Sequence, residues 1–466
     1  MCGPSSADRS RRALTGCSRH AVPVVTRRPR ERRETALTLV VLALLVLPTV
    51  LAARQAWRAD AIASFEDVWR TIDESYYDPS FGGLDWAAVR RELRPAVDAA
   101  VSPEAARRVI QTMLARLNQS HFVLLSAADE QVLPGEATVP IDVRVVDEGV
   151  LITRVEPESQ AARQGVVAGQ WLTRVDDADA RAWMGPRTEA GPGDDSRASR
   201  RLVWQRVFRS LHGATGSMAA LVVRGGDGIE RAINAARVVE DGTTVTVGNL
   251  PPMRVRTSAR RVESPSGLHV GVVRFNVWMT AVAEPFARAV DEFRAADGFV
   301  VDLRGNPGGL AEMIRGIGGH FLATPELIGT VHMRGTELAF RANPRTSTPD
   351  GRRVAPFAGP LAILVDDLTG SASECFAGGM QSLGRARVFG TRTMGQALPA
   401  VTRRLPDGDV LMYAVGDFVT STGQRLEGDG VVPNEPVVLS PASLVGGHDP
   451  VLERALDWID RASSGR

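Results

Sequence analysis

Two stretches of this chain share one design: a continuous apolar run, a turn of small residues, then a segment able to continue as a helix. They are VVDLRGNPGGLAEMI, starting at Val300, and LAILVDDLTGSASECFAGGMQSL, starting at Leu361. Apolar runs of this length without polar alternation suit strands covered on both faces, which belong to parallel sheets flanked by helices. HVGVVRF, starting at His269, adds another such strand. From about Gly267 onward the pattern predicts an α/β core with a mostly parallel sheet.

The rest of the chain divides around that core. Residues 57–126 have apolar side chains at helical intervals, and Ser102 followed by Pro103 reads as a helix cap. Between about Pro134 and Val239 the texture changes to short strands, IDVRVV, GVLITRV and MAALVVRG, separated by glycine turns. Within it MGPRTEAGPGDDSRAS, starting at Met184, reads as an exposed loop.

The apolar run TALTLVVLALLVLPTVLAA, residues 35–53, follows the basic RRPRERRE. It carries no charge and approaches the about 20 residues that cross a bilayer as a helix. The expectation is a retained anchor or a cleaved signal, with residues 1–34 cytoplasmic and all that follows outside. A buried core helix is the alternative.

A formal net charge of +1 over 466 residues gives no case for nucleic acid. Cys2 and Cys17 precede the apolar run and leave Cys375 alone beyond it, so no disulfide framework is available there. The chain has no lysine, and all 55 basic side chains are arginine.

Ser371 and Ser373 stand where a buried strand meets a helix amino terminus. That is where open α/β sheets bind ligands and where free N–H groups can hold an oxyanion. Either serine can equally be a helix cap, with Glu374 completing a capping box. The turn containing Gly305, Pro307, Gly308 and Gly309 can bring a second N–H to the same place, or can simply be a tight connection. A nucleophilic serine needs a base, and lysine is excluded by composition. Of seven histidines, His20 precedes the apolar run, leaving His121, His212, His269, His320, His332 and His448. His121 lies where an amphipathic helix breaks, beside Asn118, Gln119 and Ser120. It is a candidate base, or a surface histidine at a helix end.

These residues resemble the carboxyl-terminal-processing (tail-specific) serine proteases, in the branch typified by the tricorn core. FEDVWRTIDESYYDPSFGGLDW and LARLNQSHF resemble its helical region, and GVLITRVEPESQAARQGVVAGQWLTRVDD resembles a PDZ domain. VVDLRGNPGGL, LVDDLTGSASECFAGGM and GQRLEGDGVVPNEPV resemble its catalytic core, all in the family's order. The resemblance implies a ClpP/crotonase-like α/β core over 245–466, a helical region over 57–130 and an inserted PDZ-like domain over 134–240.

It further implies Ser371 as nucleophile, with Ser373 the weaker candidate, and an oxyanion hole from Ala372 with Gly308 or Gly309. Where the bacterial branch has its lysine base, this chain has Gln396. The tricorn branch uses histidine instead, which gives His121 as base, Ser120 as its partner and Glu427 as the acidic member. The implied activity is a serine peptidase acting on extracytoplasmic proteins or peptides, with the PDZ-like domain able to take their C-terminal tails, and with no metal or cofactor and no nucleic-acid partner. Its rival is a catalytically inactive, ligand-binding envelope protein on the same fold.

Overall fold

The computed structural model describes residues 57–126, 135–180, 182–184, 196–248 and 252–464. The apolar run at 35–53, the basic segment before it and most of the loop after Met184 lie outside these residues. No helix among the described residues is long and apolar enough to cross a membrane.

Three helices come first: α1 (57–75), α2 (Trp86–Asp98) and α3 (Pro103–Ala115). Ser102 caps α3, its side chain accepting from Ala105 N at 3.2 Å, and Pro103 fills the first position, where a missing N–H costs nothing. The helices close around Phe65, Ile72, Ile110 and Met113. After α3 the chain turns through Asn118 and His121, at φ 48° and 60°, into the short strand β1 (Val123–Leu125).

A separate apolar core belongs to the β-rich part. Its sheet contains β2 (Ile141–Val146), β3 (Gly149–Val155), β4 (Trp171–Val175), β5 (Met218–Arg224) and β6 (Glu230–Ala236), in that order, all antiparallel. The 16-residue helix α4 (Ser196–Leu211) crosses it. The sequence reading placed the start of this helix in a loop and gave the region strands only. Val203, Val207 and Leu211 bury one narrow stripe of α4 among five arginines, too weak a periodic signal to stand out.

The third part is the predicted parallel sheet. Its strands are β7 (Thr257–Glu263), β8 (His269–Phe275), β9 (Gly298–Asp302), β10 (Leu361–Val365), β11 (Arg387–Gly390) and, after β12 (Ala400–Arg404) and β13 (Val410–Ala414), β14 (Glu435–Pro436). The order is β7-β8-β9-β10-β11-β14, with only β7 antiparallel. Successive residues point to opposite faces, as the pleat requires. Phe299, Val301, Ile363 and Val365 pack against α5 (Ala283–Glu292), α6 (Met313–Gly318) and α7 (Ala372–Ser382). Val300, Ala362 and Leu364 pack against α8 (Pro450–Ser464). Strand β1 pairs with β13, and β13 with β12, so the segment after His121 is stitched to the part of the chain that builds the parallel sheet.

Candidate active site

Strand β10 ends at Val365, and the chain reaches Ser371 through a turn built on Asp366. Asp366 Oδ1 accepts from Gly305 N at 2.9 Å, Leu368 N at 3.1 Å and Thr369 Oγ1 at 3.2 Å, and Oδ2 accepts from Arg144 Nε at 2.6 Å. One buried carboxylate thus ties the turn after β9 to the turn after β10. Asn306 adds a second tie, its carbonyl accepting from Gly370 N at 3.0 Å and its side chain from Gly308 N at 3.0 Å.

Ser371 sits at φ 52°, ψ −120°, a conformation that glycine adopts freely and other residues rarely. Strain of this kind costs about 1–3 kcal/mol and persists only where surroundings enforce it. Here they do: Ser371 N donates to Gln396 O at 2.8 Å and to Glu374 Oε2 at 3.0 Å. Glu374 also accepts from Thr393 Oγ1 at 2.5 Å, Gly395 N at 2.7 Å and Gln396 N at 2.9 Å. Burial pushes its carboxyl up to about 7, while those hydrogen bonds pull the other way. The capping role expected of Glu374 is therefore part of a larger one, clamping the Ser371 turn to residues 393–396.

Ser373 is fully buried and accepts from Trp278 Nε1 at 2.7 Å, which leaves Ser371 as the serine at the surface of the turn. Cys375 is buried and its thiol is pushed up by that burial, away from the reactive thiolate form. At Gly308 an added Cβ would lie 2.5 Å from Ser371 Cβ and 3.0 Å from Ala372 N, so only glycine fits. The Gly308 N–H is spent on Asn306. Those of Gly309 and Ala372 have no hydrogen-bond partner within the described residues.

Ser120, His121 and Glu427 come together directly. Glu427 Oε1 accepts from Ser120 N at 2.8 Å, and Oε2 accepts from Ser120 Oγ at 2.9 Å and Ala397 N at 2.8 Å. Ser120 Oγ lies 2.7 Å from His121 Nδ1. The hydroxyl has one proton, and giving it to the carboxylate makes it the acceptor of Nδ1–H. That tautomer leaves the Nε2 lone pair free for proton transfer. Burial, with the charge of Arg201 adding to it, pushes the imidazole down to about 4, so it is neutral at neutral pH.

Ser371 Oγ and His121 are not hydrogen-bonded to each other in this structure. They are connected through residues 396 and 397: Ser371 N meets Gln396 O, and the next amide, Ala397 N, meets Glu427. The other described histidines lie elsewhere: His332 pairs with Glu337, His448 with Glu453, His212 with the Phe208 carbonyl, and His320 is buried against Phe286. His269 begins β8, exposed. Sequence reasoning missed Asp366, Asn306, Thr393 and Arg144, which no local pattern marks.

The chain is similar to known proteins over most of its length. Residues 269–437 match the model of peptidase family S41, and residues 58–115 match the tricorn protease C1 domain. The chain is 26% identical over 408 residues to a carboxyl-terminal-processing protease of Synechocystis, covering 84% of this chain and 85% of the relative. It is 23% identical to a putative tricorn protease homolog of Streptomyces coelicolor, covering 84% of this chain and 32% of that protein. The photosystem II D1 C-terminal processing protease shares the fold, with a TM-score of 0.54 at 22% identity over 85% of this chain and 96% of that one. With a serine-bearing turn at the carboxyl end of a parallel sheet, residues 269–437 form a peptidase family S41 domain, and the chain is similar to carboxyl-terminal-processing proteases along most of its length.

Proposed function

We propose that Ser371 is the nucleophile and His121 the general base of an endopeptidase or tail-specific peptidase acting on extracytoplasmic proteins or peptides. Ser371 Oγ attacks a peptide carbonyl while His121 Nε2 takes its proton. The Ala372 and Gly309 N–H groups receive the developing oxyanion. His121 then returns the proton to the leaving amine, and water hydrolyses the acyl-enzyme by the same route in reverse. Ser120 and Glu427 hold the tautomer and stabilise the imidazolium. The observation that carries this reading is the unbroken path from the Ser371 amide through Gln396, Ala397, Glu427 and Ser120 to His121.

The β-rich part supports a PDZ-like role. Its edge strand β2 lies beside α4, the arrangement in which an extended peptide adds to a sheet. Substrate tails captured there would be delivered to Ser371. The apolar run at 35–53 would anchor the chain or export it, placing this machinery outside the membrane. Ser371→Ala should abolish hydrolysis of peptides with free C-termini by several orders of magnitude. Unchanged turnover in that variant would refute the assignment.

A further inference from the structure

His121 lies in a loop that does not hold its own shape. Asn118 and His121 take φ 48° and 60°, a region that costs residues other than glycine about 1–3 kcal/mol each. Contacts from elsewhere must therefore fix the loop. Glu427 supplies two of them at Ser120. Phe122 supplies another, its ring 5.7 Å from that of Tyr76, just past α1.

Two bonds from a long, rotatable carboxylate side chain do not by themselves fix where Glu427 stands. Its main chain is held by Arg425, which follows the turn after the strand Gly416–Thr420. The Arg425 guanidinium is aimed by Asp417, whose Oδ2 accepts from Nε at 2.6 Å. Nη1 then donates to the Glu427 carbonyl at 3.2 Å, and Nη2 to Gln119 Oε1 and the Tyr77 hydroxyl, each at 3.3 Å. One rigid fork thus spans the backbone of Glu427, the side chain next to Ser120 and the end of the first helix. An ammonium, a point charge on a flexible stem, could not hold all of these in one plane.

Asp417 also balances the charge. Its Oδ1 is buried without a hydrogen-bond partner among the described residues, so the carboxylate depends on Arg425 for compensation. In return it neutralises the guanidinium. The fork therefore holds the loop without adding a net cation near an imidazole that must itself become charged.

We propose that Arg425 is a positioning residue for the base: by holding Gln119 and the Glu427 backbone at one spacing, it keeps the Ser120–His121 pair in register with Glu427 and His121 Nε2 presented to Ser371. The proposal rests on the Ser371–His121 reading above and deepens it.

The test measures the rate at which a serine-directed fluorophosphonate labels Ser371 in the full-length protein. Gln119→Ala removes one arm of the fork at a half-buried residue, and Arg425→Lys keeps a charge facing Asp417 but loses the fork. Each should slow labelling about 10-fold or more, with little change in the denaturant midpoint. Should Arg425→Lys fail to fold, Gln119→Ala decides alone. A second background separates aiming from folding. In His121→Ala protein, adding Gln119→Ala should leave the slow residual labelling within about twofold, because no imidazole is left to aim. Unchanged labelling in either folded variant overturns the proposal. So does an equal loss with and without His121, which would make Arg425 a structural tie alone. Failure of the base reading would appear separately, as undiminished labelling of Ser371 in His121→Ala, and would take the proposal with it.

Discussion

Ser120 and Glu427 are joined twice across 307 positions of sequence, N–H to Oε1 at 2.8 Å and Oγ to Oε2 at 2.9 Å. This double contact ties the helical amino-terminal part to the proposed active centre. Without it His121 would have no fixed tautomer.

Glu427→Gln tests that role. The amide keeps one acceptor but turns an NH2 toward the donors of Ser120 or Ala397, so the Ser120 hydroxyl can reverse and His121 can present the wrong nitrogen. We expect kcat to fall by roughly 10³-fold or more, by analogy with other orienting carboxylates, while KM changes little. Equal loss in KM would instead indicate a disrupted binding surface.

The imidazole of His121 sets a second expectation. Held down to about 4, it remains an available base well below the usual histidine range. The free-enzyme profile of kcat/KM on a neutral peptide should therefore stay level as pH falls from 7 to 5 and decline only near 4. In Arg201→Gln that limb should move upward. A decline centred near 6.5 in the unaltered enzyme would contradict the described environment.

Glu374 is the next point of failure. Its two oxygens accept from four donors, and an amide oxygen cannot replace both. Glu374→Gln should release residues 393–396 from the Ser371 turn, lowering stability by about 2–4 kcal/mol and activity by at least 100-fold. Denaturant unfolding together with turnover would detect both. Full activity would mean that φ 52° at Ser371 is held by other contacts.

The β-rich part and the catalytic half have separate apolar cores and meet through charges. Arg144 on β2 bonds to Asp366, and Asp142 on the same strand accepts from Arg274 at 2.9 Å. Removing one member of a buried pair is costly, about 3–5 kcal/mol. Arg144→Ala should cost that much stability and also lower kcat, because Asp366 ties the turn after β9 to the turn that carries Ser371. Retained kcat at reduced stability would separate the ion pair from the chemistry.

The sequence-level reading was strongest where burial left a local pattern. β8, β9 and β10 are continuous apolar runs because helices cover both faces of the sheet, and Ser102-Pro103 is a cap that needs no tertiary partner. The serine of the turn was legible because its neighbours must be small. Helix α4 was obscured by its arginines, whose partners lie on other parts of the chain. Arg144 and Asp366 are 222 positions apart, and nothing near either residue announces the other. Glu374 looked like a cap, and one of its four bonds is a cap; the other three exist only once residues 393–396 fold back over it.

The central claim is that Ser371 is activated by His121. The most direct test is covalent labelling of the full-length protein by a serine-directed fluorophosphonate, with the modified residue located by mass spectrometry. The account predicts labelling at Ser371, absent in Ser371→Ala and at least 100-fold slower in His121→Ala. Labelling at another serine, or undiminished labelling of Ser371 without His121, would contradict it.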